Sequence, residues 1–146
     1  MSLKARALRY LSQREHSRVE LMQKLRPYLQ EGDDLEHLIA FLQASNFLSD
    51  KRFSESLLNR RQTRFGNQKI LAELHSHQMS EEDLSVIKIN LRESELARAN
   101  EVLLKKFPIA PVDYAGKAQC MRFLAQRGFT GRAIELAIEL AWKPEG

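Results

Sequence analysis

The residues of this chain best suited to chemistry are arginines. Arg60, Arg61 and Arg64 close an apolar-periodic stretch, and Lys69 follows beyond Phe65 and Gly66. On a helix, positions 60 and 64 share a face and 61 lies beside them, so the stretch ends in a cationic ridge. Such a ridge suits phosphate contact and long-range steering of an anionic partner. Arginines in a last turn also complement the negative end of a helix dipole, and residue types alone do not choose between the two roles. Arg9, Arg14 and Arg18, with Lys4 and Arg6, form a second basic surface. Arg122, Arg127 and Arg132 form a third, with Lys117 nearby as a further contact candidate.

Other chemistry is sparse. The sequence contains no Gly-rich phosphate loop, HExxH or CxxC. His75 and His77 are spaced by two, which places them on different sides of a helix, and solvated surface is the expectation. Cys120 falls on an apolar stripe and reads as a small core residue. Acids 81–83 read as a helix first turn rather than a cation site. With no nucleophile–base constellation, the expectation is a protein that is not an enzyme and uses no metal or cofactor.

The 146 residues fit one domain, or two if each is very small, and 43% hydrophobic with 29% charged residues is a globular balance. The longest apolar run is five residues, Leu38 to Leu42, too short to cross a bilayer. The opening MSLKARALRYLSQ lacks an apolar stretch of secretory length, and a lone cysteine makes no internal disulfide, so a cytoplasmic location is expected. The net charge of +4 hides an alternation. Residues 1–30, 31–50, 51–79, 80–95, 96–132 and 133–146 carry +5, −5, +4, −3, +5 and −2.

That alternation keeps step with a repeat. Offsets of 49 and 50 residues bring Leu21, Met22 and Leu25 onto Ile70, Leu71 and Leu74, and these onto Cys120, Met121 and Leu124. Ser17, Gly66 and Gly116 precede the clusters at one offset, and Leu8, Leu57 and Phe107 correspond upstream. The periodicity is helical, as in Leu35, Leu38, Ile39 and Leu42. Ser17 and Glu20 have capping-box spacing, with the carboxylate expected to reach back, and Asp50 and Ser80 are further start signals. The expected fold is all-α: three tandem three-helix repeats, 1–48, 49–92 and 93–146, stacked into an elongated, curved body. Nine helices are expected, near 3–14, 17–26, 34–45, 50–65, 67–77, 81–91, 94–107, 113–126 and 130–142. Pro27 stops the second early. Ile87, Ile89 and Leu91 alternate like a strand but lie where the repeat demands a helix.

Several stretches resemble the RecX family of bacterial regulators. The first is Leu11-x-x-Arg14-x-x-Ser17-x-x-Glu20-Leu21-x-x-Lys24-Leu25, followed by Asn46-Phe47-Leu48-Ser49-Asp50-x-x-Phe53. Then come Arg60-Arg61-x-x-Arg64-Phe65-Gly66-x-x-x-Ile70-x-x-Glu73-Leu74 and Lys117-x-x-x-Met121-x-Phe123-Leu124-x-x-Arg127-Gly128-Phe129. In this order they cover essentially the whole chain. One departure is His77-Gln78-Met79, where a Lys-Gly-(Ile/Val) turn is common; without the glycine, Gln78 makes the turn or joins a helix end.

The resemblance implies a non-enzymatic, all-helical negative regulator of the RecA recombinase. Family members bind the RecA filament on single-stranded DNA, lodge in its groove, and limit extension or promote disassembly, restraining recombination and the SOS response. A groove of mixed charge would suit alternating basic and acidic blocks, with weak direct DNA contact possible. A monomer is expected, because no sustained heptad occurs. The main alternative is a direct DNA-binding protein of helix-turn-helix type, against which stands the spread of basic residues along the chain. A helical scaffold for another protein is a third reading. The stacked architecture itself makes a measurable claim. A compact globule of this length has a radius of gyration of roughly 15 Å, and small-angle scattering should return a clearly larger value.

Overall fold

Ser2, Ser17, Asp34, Ser80, Asp113 and Thr130 each take an extended backbone, and each side chain accepts a hydrogen bond from the amide three residues on. These caps satisfy amides that have no partner inside a helix. The helices they start, with two others, appear in the computed structural model, which describes residues 1–144. The last two residues of the expected third repeat lie outside that range. Eight α-helices and one 3₁₀ turn are present among the described residues, with no strand. They are α1 (Leu3–Gln13), α2 (Arg18–Leu25), the 3₁₀ turn Arg26–Tyr28, α3 (Leu35–Ala44), α4 (Asp50–Arg61), α5 (Asn67–Ser76), α6 (Glu81–Lys106), α7 (Tyr114–Gln126) and α8 (Gly131–Leu140). The chain is all-α, as expected.

The expected count of nine is corrected at α6, where the sixth and seventh helices are one element of 26 residues. No Gly or Pro between Leu91 and Ser94 stops the helix, and Ser94, a residue type that could start one, turns its hydroxyl to the Leu91 carbonyl at 3.4 Å instead of capping. Leu84, Ile87, Leu91, Glu95, Arg98 and Val102 are all buried, at spacings of three and four that run through the expected break. Ile89 is 53% exposed, so the apparent alternation at 87–91 is one helical stripe with a surface isoleucine beside it. Pro27 sits in the 3₁₀ turn directly after α2, where its missing amide breaks no α-helical bond.

The chain divides into two units, each with its own core. The first comprises Met1–Leu57 with Ser76–Met79; the second comprises Leu58–His75 and the chain from Ser80 onward. In the first, Ala7, Leu21, Leu25, Ile39, Leu42 and Leu48 form one buried cluster. In the second, Ala99, Val102, Leu103, Cys120, Leu124, Phe129 and three residues of α8 form another. The repeat is visible at atomic level. The first and third members of each aligned triad, Leu21 and Leu25, Ile70 and Leu74, Cys120 and Leu124, are buried. The middle members Met22, Leu71 and Met121 are not.

Three local expectations in the first unit change. Ser49, not Asp50, caps α4, accepting from the Arg52 amide at 3.1 Å. Asp50 instead accepts from the Arg18 amide at 2.7 Å, so it caps the first residue of α2 from another helix. Glu20 does not complete a capping box: both its oxygens turn to the Arg14 guanidinium, at 2.5 and 3.1 Å. Burial raises the Glu20 carboxyl, but the hydrogen bond and charge of Arg14 outweigh it and the net direction is down. His77 is not solvated surface. Its ring packs 4.4 Å from that of buried Phe53, and its Nδ1 lies 2.6 Å from Ser17 Oγ. Gln78 makes the turn after α5 itself, with φ of +52°.

His16, a position the spacing arguments passed over, is almost fully buried beside that network. Its Nε2 lies 2.9 Å from Lys24 Nζ, which can only donate, so Nδ1 carries the proton and donates to the Arg14 carbonyl at 3.0 Å. Burial pushes the imidazole below its usual value of 6.5, and the charges of Arg14 and Lys24 add to that. Because the folded chain favours neutral His16, the unfolded chain takes up the proton first as pH falls. Stability should hold steady above about pH 6.5 and decline below it, before Glu20 titrates. Urea unfolding from pH 8 to 5 should show that slope, and His16→Gln should flatten it.

Candidate interaction surface

The basic surface of the second unit is built on a crossing of two loops. One joins α4 to α5 through Phe65 and Gly66; the other joins α7 to α8 through Arg127, Gly128 and Phe129. The Gly66 amide donates to the Arg127 carbonyl at 2.8 Å, and the Gln68 amide to that of Gly128 at 3.0 Å. A Cβ on Gly66 would lie 2.3 Å from the Phe129 nitrogen, a backbone atom that cannot step aside. Gly128 has φ of +89°, and a Cβ there would meet the Lys69 Cβ at 2.5 Å. Both glycines are required by backbone approach, one of them by conformation as well.

Beneath the crossing lie two buried ionic side chains of α6. The Glu95 carboxylate accepts from the Asn67 amide at 2.9 Å, the Thr130 amide at 3.3 Å and the Thr130 hydroxyl at 2.6 Å. It therefore sits at the positive ends of both α5 and α8. Arg98 donates to Ser94 Oγ and the Leu91 carbonyl on its own helix. Across the crossing it donates to the Phe65 carbonyl at 3.0 Å and to Asn67 Oδ1. Burial pushes the guanidinium below its ordinary range, opposed by the charge of Glu95. Nearly every polar atom of the pair is satisfied, the condition under which buried charge is tolerated.

The Phe65 ring is held on the outer side. Arg61, Arg64, Lys69 and Arg127 place their charges 5.9, 5.5, 5.0 and 5.7 Å from its centroid. Arg127 also lies 5.1 Å from the Phe123 ring. The ring faces offset part of the mutual repulsion of these cations. Glu73 pairs with Arg61 at 3.0 Å, which leaves an excess of positive charge. Next to Arg64 and Arg127 opens a groove of about 410 Å³ that is also lined by Thr63, Lys105, Lys106 and Phe123.

Of the candidates read from sequence, Arg61, Arg64, Lys69 and Arg127 come together, although Arg127 is more than fifty residues from the rest. Arg60 is exposed at the end of α4. Arg9, Arg14 and Arg18 do not form one site. Arg14 is bound to Glu20, Arg18 reaches Met22 Sδ at 3.3 Å, and Arg9 is exposed on α1. Lys117 and Arg122 are exposed on α7, and Lys117 lines a different groove. Gly66, Gly128 and Phe129 make the crossing, whereas Ser17, Asp50 and Phe53 brace the first unit. Lys105 and Lys106 were missed, although they are an adjacent pair at a helix end inside a basic block. Glu95 and Arg98 left no signal, since exposed helices carry the same residues.

An all-α protein that repeats one buried pattern in α2, α5 and α7 and carries a basic, aromatic-centred surface is the class defined so far. The family model described as RecX, third three-helix domain, matches residues 93–138. The chain is 54% identical over 145 residues to the regulatory protein RecX of Herbaspirillum seropedicae, covering 99% of this chain and 94% of that protein. It is 58% identical over 138 residues to the regulatory protein RecX of Herminiimonas arsenicoxydans, covering 94% and 91%. The crystal structure of RecX from Lactobacillus salivarius has the same fold, with a TM-score of 0.77 at 19% identity over 95% of this chain and 94% of that one. The chain belongs to the RecX family. No helix among the described residues is long and apolar enough to cross a membrane.

The crossing tolerates no side chain. Gly66→Ala should cost about 3 kcal/mol or more, because the new methyl meets backbone. Thermal unfolding should show a loss far larger than that from Gly131→Ala, whose Cβ would enter open space.

Proposed function

We propose that this chain is a non-enzymatic negative regulator of RecA, acting as a monomer in the cytoplasm. It lodges in the groove of the RecA filament on single-stranded DNA and blocks extension or promotes disassembly. RecA ATPase, recombination and the SOS response are restrained as a result. Its working body is three tandem helical repeats, 1–48, 49–92 and 93–146, with α6 running through the boundary between the last two. The observation that carries the reading is the Phe65 cluster in a chain of this family. Arg61, Arg64, Lys69 and Arg127 are fixed around one ring by a backbone crossing, so they meet an anionic surface with little ordering cost. Phosphates and protein carboxylates both fit that chemistry. Arg60, Arg9, Arg18, Lys117 and Arg122 contribute at the periphery, and Arg14 contributes less because Glu20 holds it.

The test is RecA ATPase on single-stranded DNA with increasing amounts of this protein. Wild type should inhibit, and R64A/R127A should need about tenfold more protein, a loss of roughly 1.4 kcal/mol, with unchanged helicity. Unchanged inhibition by that variant would remove the cluster from the contact. Titration onto bare DNA and onto filaments at two salt concentrations separates the helix-turn-helix reading. Tight, steeply salt-dependent binding to DNA alone favours it, and strong preference for filaments excludes it.

A further inference from the structure

A second surface of the second unit has the opposite character. The segment after α6 is pinned at three points. The Trp142 indole N–H donates to the Phe107 carbonyl at 2.9 Å, and Asp113 caps α7. Between them Pro111 lies so close to Gly116 that a Cβ there would approach it to 2.9 Å. This fixed segment, with α7 and α8, encloses an open groove of about 780 Å³. Its apolar lining includes Val112, 98% exposed, Tyr114, 79% exposed, and Met121, three of the twelve large hydrophobic side chains exposed among the described residues. Along α8 the wall carries Glu135 and Glu139, one turn apart and exposed. Neither has a hydrogen-bond or ion-pair partner among the described residues. Exposed apolar side chains beside unpaired carboxylates, in a unit whose opposite chemistry is a cation cluster, describe a surface complementary to something apolar and basic.

We propose that this groove docks an apolar segment bearing lysine or arginine on the protein surface of the partner, so that the chain grips a nucleoprotein partner by two chemistries. Cations around Phe65 take anionic groups, and the Glu135–Glu139 groove takes a basic protein segment. The proposal rests on the filament reading. Pinning of the 107–113 segment means that the groove exists before the partner arrives and little ordering opposes docking. Nucleic acid is disfavoured as its occupant, because the lining sets Asp113, Glu135 and Glu139 against the one cation Lys117, and phosphates would meet a net negative wall.

Charge reversal tests the proposal through its sign. E135K/E139K makes the protein more basic by four charges, so any contact made through phosphates alone strengthens. Docking of a basic segment weakens instead. Wild type, E135K/E139K, the neutral E135Q/E139Q and the apolar-to-polar V112S/Y114S are titrated onto bare single-stranded DNA and onto RecA filaments on that DNA. All these side chains are exposed, and circular dichroism checks that each variant is folded. Filament affinity should fall tenfold or more for E135K/E139K and several-fold for E135Q/E139Q and V112S/Y114S, while affinity for bare DNA holds or rises. Retention of wild-type filament affinity by E135K/E139K or by V112S/Y114S overturns the docking proposal and leaves the filament reading standing. Wild type that shows no preference for filaments overturns both.

Discussion

The second unit depends on one carboxylate. Glu95 lies buried in the middle of α6, where desolvation would exclude an ionised group that lacked partners. Its partners are the amides that open α5 and α8, so a single charge satisfies two helix N-termini and stands where both dipoles favour it. Arg98, one turn on, ties the same helix to the Phe65 carbonyl and to Asn67. Together they hold the two interhelical loops in backbone contact. Arg127, from the far side of the chain, reaches Phe65 through that contact.

The first unit uses a related device at the equivalent place. The first amide of α2, from Arg18, is taken by Asp50, and the first amide of α5, from Asn67, is taken by Glu95. In both cases the carboxylate comes from a later helix, and it braces the equivalent second helix of the repeat. The apolar triads show where the repeated unit buries its face. These carboxylates show how the second helix is fastened to the chain that follows. Around Asp50 the bracing is completed by Ser17, His77 and Phe53, a polar and aromatic group in place of a second ion.

Electrostatics in the second unit follows from placement more than from total charge. Four cations converge on one ring with Glu73 among them, while Glu135 and Glu139 of α8, without an ion-pair partner among the described residues, stand beside exposed Val112 and Tyr114. A rigid backbone keeps both surfaces in being without a partner. Long side chains on a mobile loop would instead disperse, because repulsion among like charges is unopposed in solvent.

Local sequence determined most of the helices, the caps at Ser17 and Ser80, the apolar triads and the stop at Pro27, because each depends on residues within one or two turns. It also placed Arg60, Arg61 and Arg64 on one ridge with Lys69 beyond, of which Arg61, Arg64 and Lys69 surround Phe65; α4 ends at Arg61, so positions 60 and 64 do not share a helix face. It misled where a repeat was taken to imply a break: continuity of α6 required only the absence of stop signals between Leu91 and Ser94, and the repeat carried no such signal. Tertiary structure decided which carboxylate caps which helix, that Arg127 joins Phe65, and that Gly66 is needed for contact as well as for a turn. The physical reason is distance along the chain. Asp50 and Arg18 are 32 residues apart, and Glu95 and Thr130 are 35. A carboxylate has the same local pattern whether it faces solvent or a distant amide, and only packing distinguishes the two.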